Sequence, residues 1–374
     1  MTLCKGLARQ GHEITFLTGP VPNAPQHEVL GSNFTVWRPG WPWLFRKSYN
    51  PSNLLFARQF WFLILTFLLG LVLRKAPQRR WDVVHGHIYS SGMAAWWLAR
   101  CTRAACINTI HGSYYYQWRS LAGPWRGRLF QGLERFLAPT LAQLVDAQIH
   151  ADQFFAKTVA RWAHYRAKLL VFHNTVDTTV FHPDLPPSSE ILRLREEGVP
   201  QLLTIRRLVR KNGLHLLVRA VAELTKNRPI QLVIVGQGPE VVPLQQLVRS
   251  LGLADKVLFY GPCRSDQVAP FLRSADLVVV PSLVEASSIG VLEAMAVGAP
   301  LVVSRIPGIE EITSPALVTY ADPPTVAGLV KALETALDDP SVAVKGRSGV
   351  RHVQEGFTTE VQVRRHERLY YALL

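Results

Sequence analysis

Cysteine is scarce in this chain: Cys4, Cys101, Cys106 and Cys263 are the four in 374 residues, and no two stand at CxxC spacing. That excludes a paired disulfide framework and a thiolate metal knuckle, and the four read as reduced thiols in a cytosolic protein. No stretch reaches the roughly 20 apolar residues that a bilayer-spanning helix needs. The longest apolar run, 60–73, has fourteen. The chain opens Met1-Thr-Leu-Cys-Lys5 without an apolar leader, so no signal peptide is expected. Acid is scarce only in the first half. Through residue 180 there are 20 Lys and Arg against 7 Asp and Glu, and from 181 onward 21 against 20, so nearly all of the +14 net charge lies there.

A basic half calls for an anionic partner, either nucleic acid or an acidic membrane surface. The run at 60–73 reads first as a buried core helix and second as a segment dipping into a membrane. Arg58 precedes it and Arg74, Lys75, Arg79 and Arg80 follow it, while Trp37, Trp41, Trp43, Phe45 and Tyr49 crowd the preceding segment. Cationic and Trp-rich flanks are what an interfacial anchor uses, which turns the expectation toward an anionic membrane surface and away from nucleic acid.

What is present is globular: 48% apolar residues, with 25 Gly and 25 Pro spread along the chain. Short apolar strands are expected at 12–18, 82–85, 107–111, 147–150 and 169–172, then at 201–205, 231–235, 256–260, 277–281, 300–304 and 317–320, with helices between them. Alternation of this kind implies parallel sheets with right-handed crossovers. The segment Phe181-His-Pro-Asp-Leu-Pro-Pro-Ser-Ser189 has linker composition, giving domains at 1–180 and 181–355 and a last helical stretch, 356–374, packing across them. Residues 1–10 read as a helix ending at Gly11, so the fold opens without the strand and glycine-rich turn that normally begin a doubly wound domain.

The most informative segment is Glu285-Ala-Ser-Ser-Ile-Gly-Val-Leu-Glu293, running on into Ala-Met-Ala. It places one carboxylate in a strand-to-helix loop and another on the helix, at the junction where open α/β sheets bind ligands. Backbone N–H groups at such a helix start attract phosphate, and small residues let a ligand approach them. Two carboxylates there can grip hydroxyls at the ends of a nucleotide sugar. The plainer reading makes Glu285 a helix cap and Glu293 a solvated surface group.

The turn after 201–205 reads Arg206-Arg-Leu-Val-Arg-Lys-Asn-Gly213, a natural diphosphate clamp because cations make short charge-assisted bonds to phosphate oxygens. Gly236 and Gly238, in Gly-Gln-Gly after the next strand, permit a tight turn and close backbone approach. Asp82-Val-Val-His-Gly-His87 and Thr109-Ile-His-Gly112 put histidines at strand ends. His85 and His87 share a strand face, which raises zinc, but no carboxylate or cysteine set completes such a site. His111 is the better functional candidate, as a hydrogen-bonding imidazole titrating near neutral pH. Asn174-Thr-Val-Asp177 has the chemistry of an Asx turn.

Read in order, Gly11-His-Glu13, Asp82 to His87, His111-Gly112, Asn174 to Asp177, Arg207-Leu208 with Lys211 and Gly213, Gly236 to Gly238, and Glu285 to Glu293 in their Glu-Ala-Met-Ala context resemble the retaining glycosyltransferases of family 4. The resemblance implies an α/β protein of GT-B architecture, two facing Rossmann-like domains with parallel sheets and an interdomain cleft. It implies transfer of a sugar from a nucleotide-diphosphate sugar, with retention, to a lipid-linked or polysaccharide acceptor at the inner face of the cell membrane. It assigns diphosphate neutralisation to Arg207 and Lys211 and the ribose to Glu293. The donor sugar falls to Glu285 and His111, with backbone N–H groups of Ser287, Ser288 and Ile289 in support. Neither metal nor cofactor is implied, since the cations take the place of Mg²⁺.

Three local departures accompany the resemblance. Arg206 stands where the family has Gly, Asn212 where it has its phosphate lysine, and Ala286-Ser-Ser where Gly-Phe-Gly is common. The largest departure is the absent first strand with its glycine-rich loop, from which a shortened N-terminus and weak or no turnover are expected. The alternatives are a non-catalytic nucleotide-sugar-binding protein of the same fold, and a sugar-nucleotide epimerase.

Overall fold

A computed structural model describes residues 2–21, 24–39, 55–74, 80–113, 115, 118–119, 123–163 and 168–374. Trp41, Trp43, Phe45, Tyr49, Lys75 and Arg79 lie outside the described residues. The chain divides into two compact units, Met1–His173 with Glu360–Leu374, and Asn174–Thr359.

The first unit contains two sheets. In one, β1 (Ile14–Leu17), β2 (His27–Gly31) and β3 (Phe34–Trp37) are ordered β1-β3-β2, with β2 antiparallel to β3. The β2–β3 hairpin adds to the strands expected from the pattern: it is no βαβ unit, and its first strand is largely exposed. Phe34 and Val36 alternate into the core, and Asn33 at the turn donates from Nδ2 to the carbonyls of Ala8 and His12, at 2.7 and 3.0 Å. This closes the turn against helix α1 (Thr2–Arg9).

The other sheet is wholly parallel, β4-β5-β6-β7, from β4 (Val83–His87), β5 (Ala105–Ile110), β6 (Ala147–His150) and β7 (Leu169–Val171). Among the described residues no strand joins the two sheets. Helices α2 (Leu55–Arg74), α3 (Ile88–Thr102), α4 (Pro124–Leu144) and α5 (Gln153–Ala163) follow in chain order. Ile110 of β5 packs with Ala138 and Ala142 of α4 and Phe155 and Val159 of α5, while Ile107, Ala147 and Ile149 pack with Leu369, Tyr370 and Leu373 from the C-terminal helix. That burial on both faces explains a strand as apolar as β5. The run at 60–73 falls within α2, where Gly70 is so close to α3 that a Cβ would stand 2.8 Å from Leu98, and Phe67 meets Trp97 edge-on. Among the described residues, no helix is long and apolar enough to cross a membrane.

The second unit has one six-stranded parallel sheet. Its strands are β8 (Gln201–Ile205), β9 (Gln231–Val235), β10 (Val257–Gly261), β11 (Leu277–Val280), β12 (Leu301–Ser304) and β13 (Thr319–Ala321), ordered β10-β9-β8-β11-β12-β13. All six stand where the sequence pattern puts them. This is the doubly wound order, with its switch point between β8 and β11. Helices α6 (Ser189–Arg193), α7 (Leu214–Leu224), α8 (Val241–Ser250), α9 (Val268–Ser274), α10 (Ile289–Ala296), α11 (Pro307–Glu310), α12 (Val326–Asp338) and α13 (Val342–Gly356) complete it. Every residue of β9 is buried. Gln201 and Gln231 open β8 and β9 side by side, Gln201 Nε2 donating to Gln231 Oε1 at 3.0 Å.

The Pro-rich segment 181–189 lies inside the second unit, where Phe181 is part of the core. Residues Glu360–Leu374, most of helix α14 (Thr359–Leu373), group with the first unit.

Candidate functional site

At the switch point of the second unit two loops leave neighbouring strands. The loop after β8 carries Arg206 to Gly213, and the loop after β11 carries Pro281 to Ser288 before α10 begins. Three glycines, Gly213 and two on the loop after β9, let the site loops close up. Gly213 has φ +70° and a Cβ there would stand 1.8 Å from the Pro281 carbonyl oxygen. Gly236, φ +137°, faces the Arg206 carbonyl at 1.9 Å by the same construction, and Gly238 the Leu208 carbonyl at 2.3 Å. Any side chain at these positions would drive the loops apart. Backbone bonds complete the seat: Leu283 N–H donates to the Lys211 carbonyl at 2.8 Å, and Leu208 N–H to the Gln237 carbonyl at 2.9 Å.

Within this frame Arg206 donates from Nη2 to Glu285 Oε1, and Ser282 Oγ donates to the same oxygen at 3.0 Å. Both charged side chains are largely buried, at 10% and 15% exposure. Arg206 Nε has no hydrogen-bond partner among the described residues. Glu293, about one turn into α10, has its carboxyl pushed up to about 7 by burial, with Arg206 pulling the other way. The structure thus pairs Arg206 with Glu285 and puts it in electrostatic reach of Glu293, where sequence reasoning looked to its neighbour. Arg207 is exposed and Lys211 half-buried on the same loop, and Asn212, buried, donates from Nδ2 to the Arg207 carbonyl at 2.7 Å.

Ser287 and Ser288 are buried at the entry to α10, while Ile289 is exposed. Asn174 fixes this entry: its backbone N–H donates to Ser287 Oγ at 3.1 Å and its Nδ2 to the Ser287 carbonyl at 2.7 Å. Ser288 occupies the N-cap position without a side-chain capping bond, so the first N–H groups of α10 keep their donor capacity. Phosphate or hydroxyl oxygens are what such a helix start binds. Asp177 makes the expected turn, its Oδ1 accepting from Thr179 N–H at 3.0 Å.

The first unit holds a separate set of histidines. His87 Nδ1 and His111 Nε2 are 2.9 Å apart with rings nearly parallel, so one nitrogen donates and the other accepts. His85 spends both ring nitrogens, on Tyr370 Oη at 2.8 Å and Thr109 Oγ1 at 2.7 Å. That assigns it a structural role, and no group of three or more metal-ligating side chains occurs among the described residues. His366 of α14 stacks on His85, which stacks on His87. Burial holds His87 down to about 3 and His366 down to about 4, and lowers His85 and His111 as well, so all four imidazoles are neutral at pH 7.

A doubly wound sheet with a cationic loop, two carboxylates and a free helix start at its switch point defines a nucleotide-binding class of α/β domain. The family described as Glycosyltransferase Family 4 matches residues 1–180, and that described as Glycosyl transferases group 1 matches residues 192–351. D-inositol 3-phosphate glycosyltransferase of Arthrobacter sp. (strain FB24) is 29% identical over 298 residues, 75% of this chain and 68% of that protein. Sucrose-phosphate synthase from Thermosynechococcus elongatus matches with a TM-score of 0.82 at 22% identity, over 99% of this chain and 91% of its own. Anabaena HepE, solved in complex with UDP and glucose, gives 0.68 at 18% identity, over 83% and 82%. The chain belongs to the family 4 glycosyltransferases, with the GT-B fold.

Proposed function

We propose that the chain transfers a sugar from a nucleotide-diphosphate sugar, with retention at the anomeric carbon, to a lipid-linked or polysaccharide acceptor at the inner face of the cell membrane. The observation that carries this is the meeting of the Arg206–Lys211 loop with Glu285, Glu293 and the start of α10 at one switch point. Arg207 and Lys211 neutralise the diphosphate as the bond from its oxygen to the anomeric carbon breaks, work that a divalent metal does elsewhere. The leaving phosphate oxygen takes the proton of the incoming acceptor hydroxyl on the same face, so no protein nucleophile is assigned. Glu293 accepts from ribose hydroxyls and Glu285 Oε2 from the donor sugar, its Oε1 being held by Arg206 and Ser282. Backbone N–H groups from Ser287 to Ile289 support the sugar or phosphates, and the family resemblance adds His111 as a sugar contact.

A second reading of the acceptor is a small soluble polyol phosphate, favoured by the name of the Arthrobacter relative. A panel of nucleoside diphosphates and their sugars, read by thermal shift, tests donor binding. A nucleotide-selective rise in melting temperature, abolished by Arg207→Ala with the unliganded melting point unchanged, is expected. No rise with any nucleotide overturns the proposal. Turnover of the bound donor with inositol phosphate and with lipid-linked glycans then separates the two acceptors.

A further inference from the structure

Helix α4 leaves three large apolar side chains on the side away from the core. The residues it buries are Gly127, Glu134, Ala138, Leu141 and Ala142, mostly small. Trp125, Leu129 and Phe136 are 80%, 60% and 65% exposed. Their spacing of four and then seven puts all three on one stripe of the helix. Gly132 lies between them and is exposed too.

Arg126, Arg128 and Arg135 are exposed around this stripe, and the Arg128 guanidinium stands 5.8 Å from the centre of the Trp125 ring. The one carboxylate of the helix, Glu134, is turned inward, accepting from Tyr89 Oη at 2.8 Å and Trp118 Nε1 at 2.6 Å. The outward face therefore has three cations, two aromatic rings, a leucine and no anion. A helix that served only to close the core would bury the large apolar groups and expose the small ones.

We propose that this face of α4 docks on an anionic lipid surface. Trp125, Leu129 and Phe136 enter the boundary between headgroups and acyl chains, and Arg126, Arg128 and Arg135 meet lipid phosphates. Charge complementarity commits the occupant: the first 180 residues hold 20 Lys and Arg against 7 Asp and Glu. The inference rests on the membrane-face reading above and moves its contact from the run at 60–73, whose helix packs Gly70 and Phe67 on α3, to α4.

Co-sedimentation with vesicles of equimolar phosphatidylglycerol and phosphatidylcholine, and with phosphatidylcholine alone, tests it. Wild-type protein should bind the anionic vesicles and release them in high salt, and the triple variant Trp125→Ser, Leu129→Ser, Phe136→Ser should bind about tenfold more weakly. Arg128→Gln with Arg135→Gln should weaken binding and flatten its salt dependence. All these side chains are exposed, so circular dichroism and donor binding should match wild type. Failure of the wild type to bind anionic vesicles overturns both the membrane-face reading and this proposal. Equal binding by wild type and triple variant overturns the α4 surface alone. A dimer in solution that the triple variant dissolves would give the face to a second copy of the chain and overturn the lipid assignment.

Discussion

Arg206 and Glu285, 79 positions apart, form a largely buried ion pair across the switch point of the second unit, and Ser282 shares the same carboxylate oxygen. Each charge is out of water only because the other is there. Removing one partner leaves the other uncompensated, and Arg206→Ala should destabilise the second unit by about 3 kcal/mol. Glu285→Ala should cost a similar amount, while the double variant should cost much less than the sum of the two. Chemical denaturation of the four proteins gives the coupling energy. Additive losses would mean that the pair is not formed.

Glu293 provides a pH signature. Burial raises its carboxyl from 4.5 to about 7, so between those values the folded chain holds a proton that the unfolded chain has released. Stability should therefore fall as pH rises through that window and level off above it. Glu293→Gln should flatten the fall. Arg206 opposes the shift, so Arg206→Ala should move the Glu293 midpoint above 7. Melting temperatures from pH 5 to 8, with infrared titration of the carboxyl, check both signs.

The histidine stack works in the opposite sense. His85, His87, His111 and His366 all have lowered pKa values, so below 6.5 the unfolded chain takes up protons that the folded first unit refuses. Stability should drop as pH falls from 6.5 toward 4. After burial, His111 is the next cause that holds His87 down, so His111→Gln should leave His87 titrating closer to an ordinary imidazole, as read by NMR. An unchanged His87 titration would argue against the 2.9 Å contact.

Gly213 holds the two site loops together. At φ +70°, with the Pro281 carbonyl oxygen 1.8 Å from where a Cβ would stand, Gly213→Ala meets both backbone strain and a clash. A loss of about 2 kcal/mol or more is expected, with weaker nucleotide binding because the Lys211 and Glu285 loops must separate. Gly290→Ala is the control, since nothing lies within 4 Å of its Cβ position.

The second unit was largely legible because its six strands are short and apolar and the four central ones, β8, β9, β11 and β12, are buried on both faces, a pattern that residue type alone displays. The β2–β3 hairpin was not, since its first strand is largely exposed and its turn is held by Asn33 bridging Ala8 and His12 rather than by an apolar run. Arg206 was passed over for Arg207 because consecutive residues point different ways off a strand end and sequence does not say which way is in. Asn174 reaches Ser287 from 113 positions away, beyond any spacing rule. The stripe on α4 was hidden for a related reason: with apolar residues all round the helix, only the packed structure shows that Trp125, Leu129 and Phe136 face outward.

The central claim is that the switch-point loops of the second unit carry out glycosyl transfer. It is tested most directly by nucleoside diphosphate release from the donor identified by thermal shift, measured for wild type, Arg207→Ala and Glu285→Gln. Loss of about 100-fold or more in kcat/KM in both variants, with the fold intact, is the predicted result. Release at wild-type rate by both variants would contradict it.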